Sequence, residues 1–229
     1  MPTLISKLIL ATISASSLLF LPIGSCDTRD WQRVECNAYV QQYYEIDGIE
    51  LSGPHYNNDL LHCFNLRFSC EKSCKFTDVG ENKTQYDSLR NVHGDIVCTT
   101  YATVYEDGTP KREFGGFQEA LYPIISQIDV VSNIDFDAEH PAGTSLNDCI
   151  EIYFEQINLS QCDKNFNSTL LSKWNQSKWL ITSHYNELRF IKYPNSTNID
   201  IPHTFTVCIT TANGKTYTTT QTAKFKLKA

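Results

Sequence analysis

Residues Phe205 to Thr211 read Phe-Thr-Val-Cys-Ile-Thr-Thr and run into Ala-Asn-Gly at 212 to 214. β-Branched and aromatic residues in strict alternation, closed by Asn-Gly, predict a strand entering a hairpin, with Lys215 to Thr222 as the returning strand. A similar stretch, Ile96 to Tyr105, runs into Glu106-Asp107-Gly108. Each has a cysteine upstream at a comparable distance: Cys36 precedes Cys98 by 62 positions and Cys149 precedes Cys208 by 59. A chain built this way is expected to be a β-sheet protein with two copies of one plan.

The N-terminus decides which compartment those cysteines meet. Met1 to Lys7 carries one positive charge, Leu8 to Phe20 is uncharged and apolar or small, and Pro22 to Cys26 offers small residues for cleavage. These three parts predict a secretory signal peptide over residues 1–26, too short for a spanning helix. Removing Cys26 leaves eight of nine cysteines, an even number suited to an oxidising route. An alternative takes Ile23 to Cys26 as a lipoprotein box with Cys26 lipidated. Sequons begin at Asn82, Asn158, Asn167, Asn175 and Asn195, each a candidate N-glycan acceptor in an exported chain. No later stretch is apolar for 18 residues, and no hydrophobic tail follows Lys224, so a soluble, secreted product with no transmembrane segment is expected.

Charge narrows the partners. Loss of the leader with Lys7 takes the net charge from −7 to 18 − 26 = −8. Nucleic acid and anionic membranes call for basic patches, so neither is expected as a partner.

Along the chain, Val34, Cys36, Ala38 and Val40 share one face of a strand, and Cys98 shares a face with Ile96, Ala102 and Val104. Both cysteines are expected to point inward and to join two packed sheets, a closure worth about 3 to 4.5 kcal/mol in the chain-entropy model. Gly48 to Asp59 reads as a loop and Leu60 to Phe68 as a strand. Tyr86 to Val92 reads as a helical turn ending at Gly94. Gly115, Gly116 and Pro123 place a domain boundary near 122, giving domains 27–122 and 123–229. In the second, Ile124 to Val131, Cys149 to Ile157, Trp179 to Thr182 and Glu187 to Tyr193 read as strands, and Ser168 to Gln176 as a short helix. Cys149 and Cys208 both fall on the polar faces of their strands, so Cys162 competes as a partner for Cys149. Cys63, Cys70 and Cys74 are the remaining disulfide candidates.

Phe205 to Gly214 resembles the penultimate strand and last hairpin of a fibronectin type III domain, and the Cys36–Cys98 spacing resembles that of an immunoglobulin domain. At the level of class this is similar to a cytokine-receptor ectodomain or cell-surface recognition protein. The sequence departs from those patterns: it has no Trp-Ser-X-Trp-Ser box, and two residues before the second cysteines stand Ile96 and Thr206. The fold expected is all-β, two tandem antiparallel β-sandwich domains of immunoglobulin or fibronectin III type, disulfide-bonded, with one or two short helices.

Chemistry is sparse. Nucleophile-elbow, metalloprotease, phosphate-loop and dinucleotide patterns are absent, and the histidines at 55, 62, 93, 140, 184 and 203 have no partners at triad or ligand spacing. His62, Cys63, Cys70 and Cys74 could ligate zinc, but disulfides are favoured behind a leader. Asp135, Asp137 and Glu139 would face one way in an extended segment and could take calcium; a solvated acidic loop is the plainer reading. No metal or cofactor is therefore expected. Tyr39, Tyr43 and Tyr44 form the richest aromatic cluster and are the binding-surface candidates. The expected function is extracellular recognition of another secreted or cell-surface protein, without catalysis. The alternatives are a secreted enzyme or inhibitor with a site assembled in three dimensions, and a matrix or cuticle component.

Overall fold

Period-two alternation decides most of the elements. In the computed structural model the described residues are 31–36, 39–95, 98–103, 118–159, 163–174 and 180–226. They are mostly strand, with two short helices and several antiparallel sheets. The leader and Cys162 lie outside them.

The expected hairpin is present as β12 (His203–Thr211) and β13 (Thr216–Ala223), paired antiparallel. His203, Phe205, Val207, Ile209 and Thr211 are buried and the residues between them half-buried, as alternation requires. The turn is one residue longer than a two-residue Asn-Gly loop. Thr211 C=O accepts the Gly214 N–H at 2.8 Å, and Gly214 takes φ 84°, which glycine adopts without strain. On its other edge β12 pairs with β8 (Ile125–Ser132), completing a three-stranded sheet.

A second sheet has five strands in the order β10 (Asp163–Leu170), β9 (Ile150–Asn158), β11 (Leu180–Phe190), β4 (Leu60–Ser69) and β3 (Gly48–Asn57), every pair antiparallel. The stretch expected to be a loop, Gly48 to Asp59, is thus a strand. Its glycine and proline sit at Gly53-Pro54, where the register shifts between Ser52 and His55. An outermost strand tolerates the missing proline N–H at such a bulge. Asn58 and Asp59, both with positive φ (49° and 63°), form the two-residue turn into β4. Asn and Asp enter that conformation more readily than other non-glycine residues. Likewise the two strands expected at 179–182 and 187–193 are one, β11, with an irregular register between Ile181 and Asn186. Of the helix expected over 168–176, residues 168–170 belong to β10, α2 covers Leu171–Trp174, and 175–176 lie outside the described residues; α1 (Gly80–His93) precedes it in the chain.

The apolar face of each sheet supplies one large cluster. Leu51, Phe64, Leu66, Ile152, Phe154, Leu188 and Phe190 come from the five-stranded sheet, and Ile128, Val130, Phe205, Val207, Ile209 and Tyr217 from the three-stranded one. Phe205 meets Phe64 and Phe190 at ring separations of 5.5 and 5.1 Å, in tilted arrangements that ring quadrupoles favour. By contacts the chain divides into two units, Met1–Val34 with Tyr101–Arg112, and Glu35–Thr100 with Glu113–Ala229. Within the second, β4 pairs with β11, and Ile46 and Phe64 share a cluster with Ile125 and Phe205. The division expected between 122 and 123 therefore runs through a common sheet and a common core.

A smaller three-stranded sheet, β5 (Lys72–Lys75), β2 (Val40–Glu45) and β7 (Gln118–Tyr122), contains one parallel pair, β2 with β7. Helix α1 covers it, ending at Gly94, whose φ of 67° is the left-handed cap that the glycine signalled. Tyr86 of α1 donates its hydroxyl to Val40 C=O at 2.5 Å. β1 (Trp31–Cys36) and β6 (Cys98–Thr103) pair as a two-stranded sheet. Cys36 and Cys98 thus lie on hydrogen-bonded neighbours, not on two facing sheets, because the single strand expected over 34–41 is divided into β1 and β2.

This smaller sheet buries two of the three tyrosines considered as a binding surface. Tyr43 is fully buried under α1, its ring 5.6 Å from those of Tyr86 and His93, and Tyr39 is buried beside it. Tyr44 is half-buried, its hydroxyl 3.3 Å from Glu119. Asp95 holds the arrangement together. Its carboxylate, 4% exposed, accepts the N–H groups of Tyr39 at 2.7 Å and Val40 at 3.0 Å. Replacing Asp95 by Ala would strand two buried donors at a cost of about 2–4 kcal/mol. Asp95→Asn, which retains one acceptor, should cost about half as much. Urea denaturation of both variants checks this; equal losses would mean that the carboxylate is not satisfying both amides.

Candidate functional site

Between β8 and β9 the chain makes an irregular loop, 133–149, whose first half is the acidic segment considered for calcium. It is not extended. Asp137 Oδ1 accepts the N–H of Glu139 at 2.9 Å and of His140 at 2.8 Å, an Asx turn that folds the loop back on itself. Asp135 Oδ1 accepts the Ala142 N–H at 2.8 Å. One oxygen of Asp135 and one of Asp137 are thus taken up by backbone of the same loop. Phe136 N–H bonds His140 C=O at 2.9 Å, and the imidazole of His140 is pressed inward.

Both ring nitrogens of His140 are engaged. Nδ1 lies 2.7 Å from Asp137 Oδ1, and Nε2 lies 2.8 Å from Asp148 Oδ1. A carboxylate only accepts, so two such bonds require a proton on each nitrogen: the ring is an imidazolium held between two anions. Burial opposes the charged ring, but the hydrogen bonds and charges of Asp137 and Asp148 outweigh it and raise His140 above the ordinary histidine value. Lys192 completes the charge balance, its Nζ 2.7 Å from Asp148 Oδ2. That bond, with a further one from His140, holds the Asp148 carboxyl down at about 2 despite partial burial.

Cys149 Sγ stands 3.7 Å from Nε2 and 3.8 Å from Nδ1 of the same ring. The sulfur is thus nearly equidistant from two nitrogens that are both engaged with carboxylates. Burial first, and then the Asp148 charge, pushes the thiol up to about 12. A nucleophilic cysteine needs the reverse, a lowered pKa and a histidine nitrogen free to take its proton. This pair is therefore not a catalytic dyad. Asp137, His140 and Cys149 do bring a carboxylate oxygen, a ring nitrogen and a sulfur within 4.8 Å of one another, donor types that zinc accepts. As folded, both ring nitrogens face carboxylate oxygens, so a zinc ion here would have to displace a proton. The cluster as folded holds protons.

Cys63, Cys70, Cys74, Cys149 and Cys208 all stand unpaired. Cys74 packs with Tyr43 and Tyr86, Cys70 sits against the larger cluster, and Cys63 belongs to β4, so the trio considered for zinc or bridges is dispersed. Cys208 is half-buried on the outer face of β12, as the alternation implied, whereas Cys149 is fully buried beside His140. Of the sequon asparagines, Asn82 in the first turn of α1 and Asn195 in the loop after β11 are exposed, Asn167 is half-buried on β10, Asn158 ends β9, and Asn175 lies outside the described residues.

The outward face of the five-stranded sheet carries a second constellation. Tyr153 of β9 stacks on Phe166 of β10 with rings 5.6 Å apart and 4° from parallel. The Arg189 guanidinium of β11 lies 4.0 Å over the Tyr153 ring and donates to Glu187 at 2.7 Å. Cross-strand register brings these residues together, with Glu187 opposite Tyr153 and Tyr153 opposite Ser168. Phe166, though aromatic, is 52% exposed.

Neither constellation was read from the sequence. Asp137-X-X-His140 is Asx-turn spacing and could have signalled the first; the second depends on strand pairings without a local mark. No family model, curated protein or solved structure matches this chain. No helix of the described residues is long and apolar enough to cross a membrane.

The thiol chemistry gives a direct check. With native protein at pH 8, iodoacetamide should leave Cys149 unmodified and label it only after unfolding, whereas the half-buried Cys208 should react in the native state; peptide mass spectrometry reads both. Rapid native labelling of Cys149 would show that its thiol is neither buried nor held protonated.

Proposed function

We propose that this chain is a secreted glycoprotein of β-sandwich architecture that acts by binding another extracellular or cell-surface protein. The contact of the five- and three-stranded sheets through Phe64, Phe190 and Phe205 supports the sandwich reading.

The observation that carries the recognition reading is the Tyr153–Phe166–Arg189 ladder. Aromatic residues and arginine are the types that dominate binding energy at protein interfaces, and a stacked, cross-strand set loses little entropy on contact. β10, which bears Phe166, is an outermost strand of its sheet, an edge at which a partner can add main-chain hydrogen bonds. For the runner-up, an enzyme, two clefts can be named: one of about 630 Å³ beside α1, with Glu81 its single carboxylate, and one of about 160 Å³ lined by Glu45, Asp47, Glu71, Lys72 and Lys215.

Phe166→Ala and Arg189→Ala should each weaken capture of a partner from extracellular fluid by tenfold or more, as interface hot spots do, while circular dichroism stays that of the parent. The same proteins retained equally by parent and variants would sink this surface as the binding face. Expressed through a secretory route, the chain should lose mass on enzymatic deglycosylation. Asn82→Gln and Asn195→Gln should each remove one glycan's worth, and an unchanged mass would count against export.

A further inference from the structure

Two histidines flank the fully buried ring of Phe136, each 6.2 Å from it, and they are held in opposite protonation states. His140 is the imidazolium described above. His203, fully buried on β12, lies 3.1 Å from the carbonyl of Asn198 through Nε2 and 2.9 Å from Ser132 Oγ through Nδ1. A carbonyl cannot donate, so Nε2 carries a proton; the serine hydroxyl can give or accept at Nδ1, and it is burial that leaves this ring neutral. Burial lowers His203 and keeps it so, against the smaller opposing effect of the Asn198 bond.

His140 is also a mechanical joint. Through Asp137 it closes its own loop, and through Asp148 it ties that loop to the start of β9 and to Lys192 beyond β11. Ile191 N–H bonds Cys149 C=O at 2.9 Å. The second loop hangs on the first: Asn195 N–H donates to Phe136 C=O at 3.0 Å, and Asn198 Nδ2 to Asp135 C=O at 2.7 Å. The groups that face His140 are thus Asp137 and Glu139 from its own loop, Asp148 and Cys149 from the approach to β9, Lys192 after β11, and His203 across Phe136.

We propose that loops 133–149 and 191–201 form a proton-operated latch, closed while both ring nitrogens of His140 carry protons and loosened when one proton leaves to water. Loss of that proton turns one charge-assisted bond into a lone pair aimed at a carboxylate oxygen less than 3 Å away, with Asp137 and Asp148 left facing a neutral ring. The direction follows from the raised affinity of His140 for its proton. Its stabilisation is complete below the ordinary histidine value of 6.5 and is lost as pH rises through the higher value of the folded protein. His203 works in the opposite sense, complete above 6.5 and lost as pH falls, so alkaline loosening belongs to His140 alone.

Hydrogen exchange on the full chain, corrected for intrinsic rates, tests the latch at pH 5.5 and 8.5. In the parent, the amides of Phe136, Ala142 and Asn195 should lose about tenfold in protection at the higher pH, the equivalent of one charge-assisted hydrogen bond. Val207 in the core should not change. In His140→Gln the three loop amides should be weakly protected at both pH values. Nitrogen NMR of the parent at pH 6 should show protons on both His140 nitrogens, a readout that stands even if the variant fails to fold. Loop protection independent of pH in the parent, the same pH dependence in His140→Gln, or a neutral His140 ring at pH 6 would each overturn the proposal.

Discussion

Phe205 is the contact on which the main sheets depend. Its ring meets Phe64 and Phe190 of the five-stranded sheet and, at 5.7 Å, the ring of Phe225, which follows β13. Fully burying a side chain of this size contributes about 1.5–3 kcal/mol, and the aromatic pairing adds about 0.5–1.5 kcal/mol per pair. The rings also align the strands that meet there. β12 can present Phe205, Val207 and Ile209 inward only in one register, since a slip of one residue would turn Thr206 and Cys208 into the core instead. Leu61 N–H reaches Phe225 C=O at 2.7 Å, so the same cluster also binds the chain end to β4.

What was legible in the sequence is what a period of two can encode. β4, β8, β9, β12 and β13 lie close to where alternation put them, and Gly94 ends its helix as expected. β3 was missed because Gly53-Pro54 breaks the local pattern, although at a bulge on an outermost strand it breaks nothing in the sheet. Pairing partners carry no such signature. Nothing near Leu66 or Leu188 marks β4 and β11 as neighbours, so two cysteine-spaced copies suggested two cores where the described residues build a shared one. The burial of Tyr39 and Tyr43 was hidden for a related reason: it is imposed by α1, whose Tyr86 closes over the face that β2 would otherwise expose.

Two of the buried ionisable groups, Asp95 and His140, are handled differently. Asp95 is satisfied chiefly by backbone donors, the amides of Tyr39 and Val40. Burial pushes its carboxyl up, and those bonds oppose the shift without cancelling it. It thus acts as a clasp between segments distant in sequence. His140 is satisfied by other ionisable groups, Asp137 and Asp148, each of which is held below the usual carboxylate range in the exchange. A clasp made to backbone amides has fixed donors on one side. One made between a base and two acids depends on the protonation of every member, and only the second kind can respond to pH near neutrality.

This difference follows from position along the elements. Strand interiors hold buried charge too, Glu155 on β9 and Glu187 on β11, but the His140 cluster gathers where alternation ends, in the loop between β8 and β9 and at the residues just before β9. Cys149 belongs to the same place. As the residue just ahead of β9 it is released from that strand's pleat, which is why it is fully buried although a continued alternation would have set it on the polar face with Glu151 and Tyr153. The histidine that it meets was brought inward by Asp137 turning the loop, a purely local event. The site is thus the product of a local turn and a strand start that coincide only because β8 and β9 contribute to one core, and neither half would mark it in isolation.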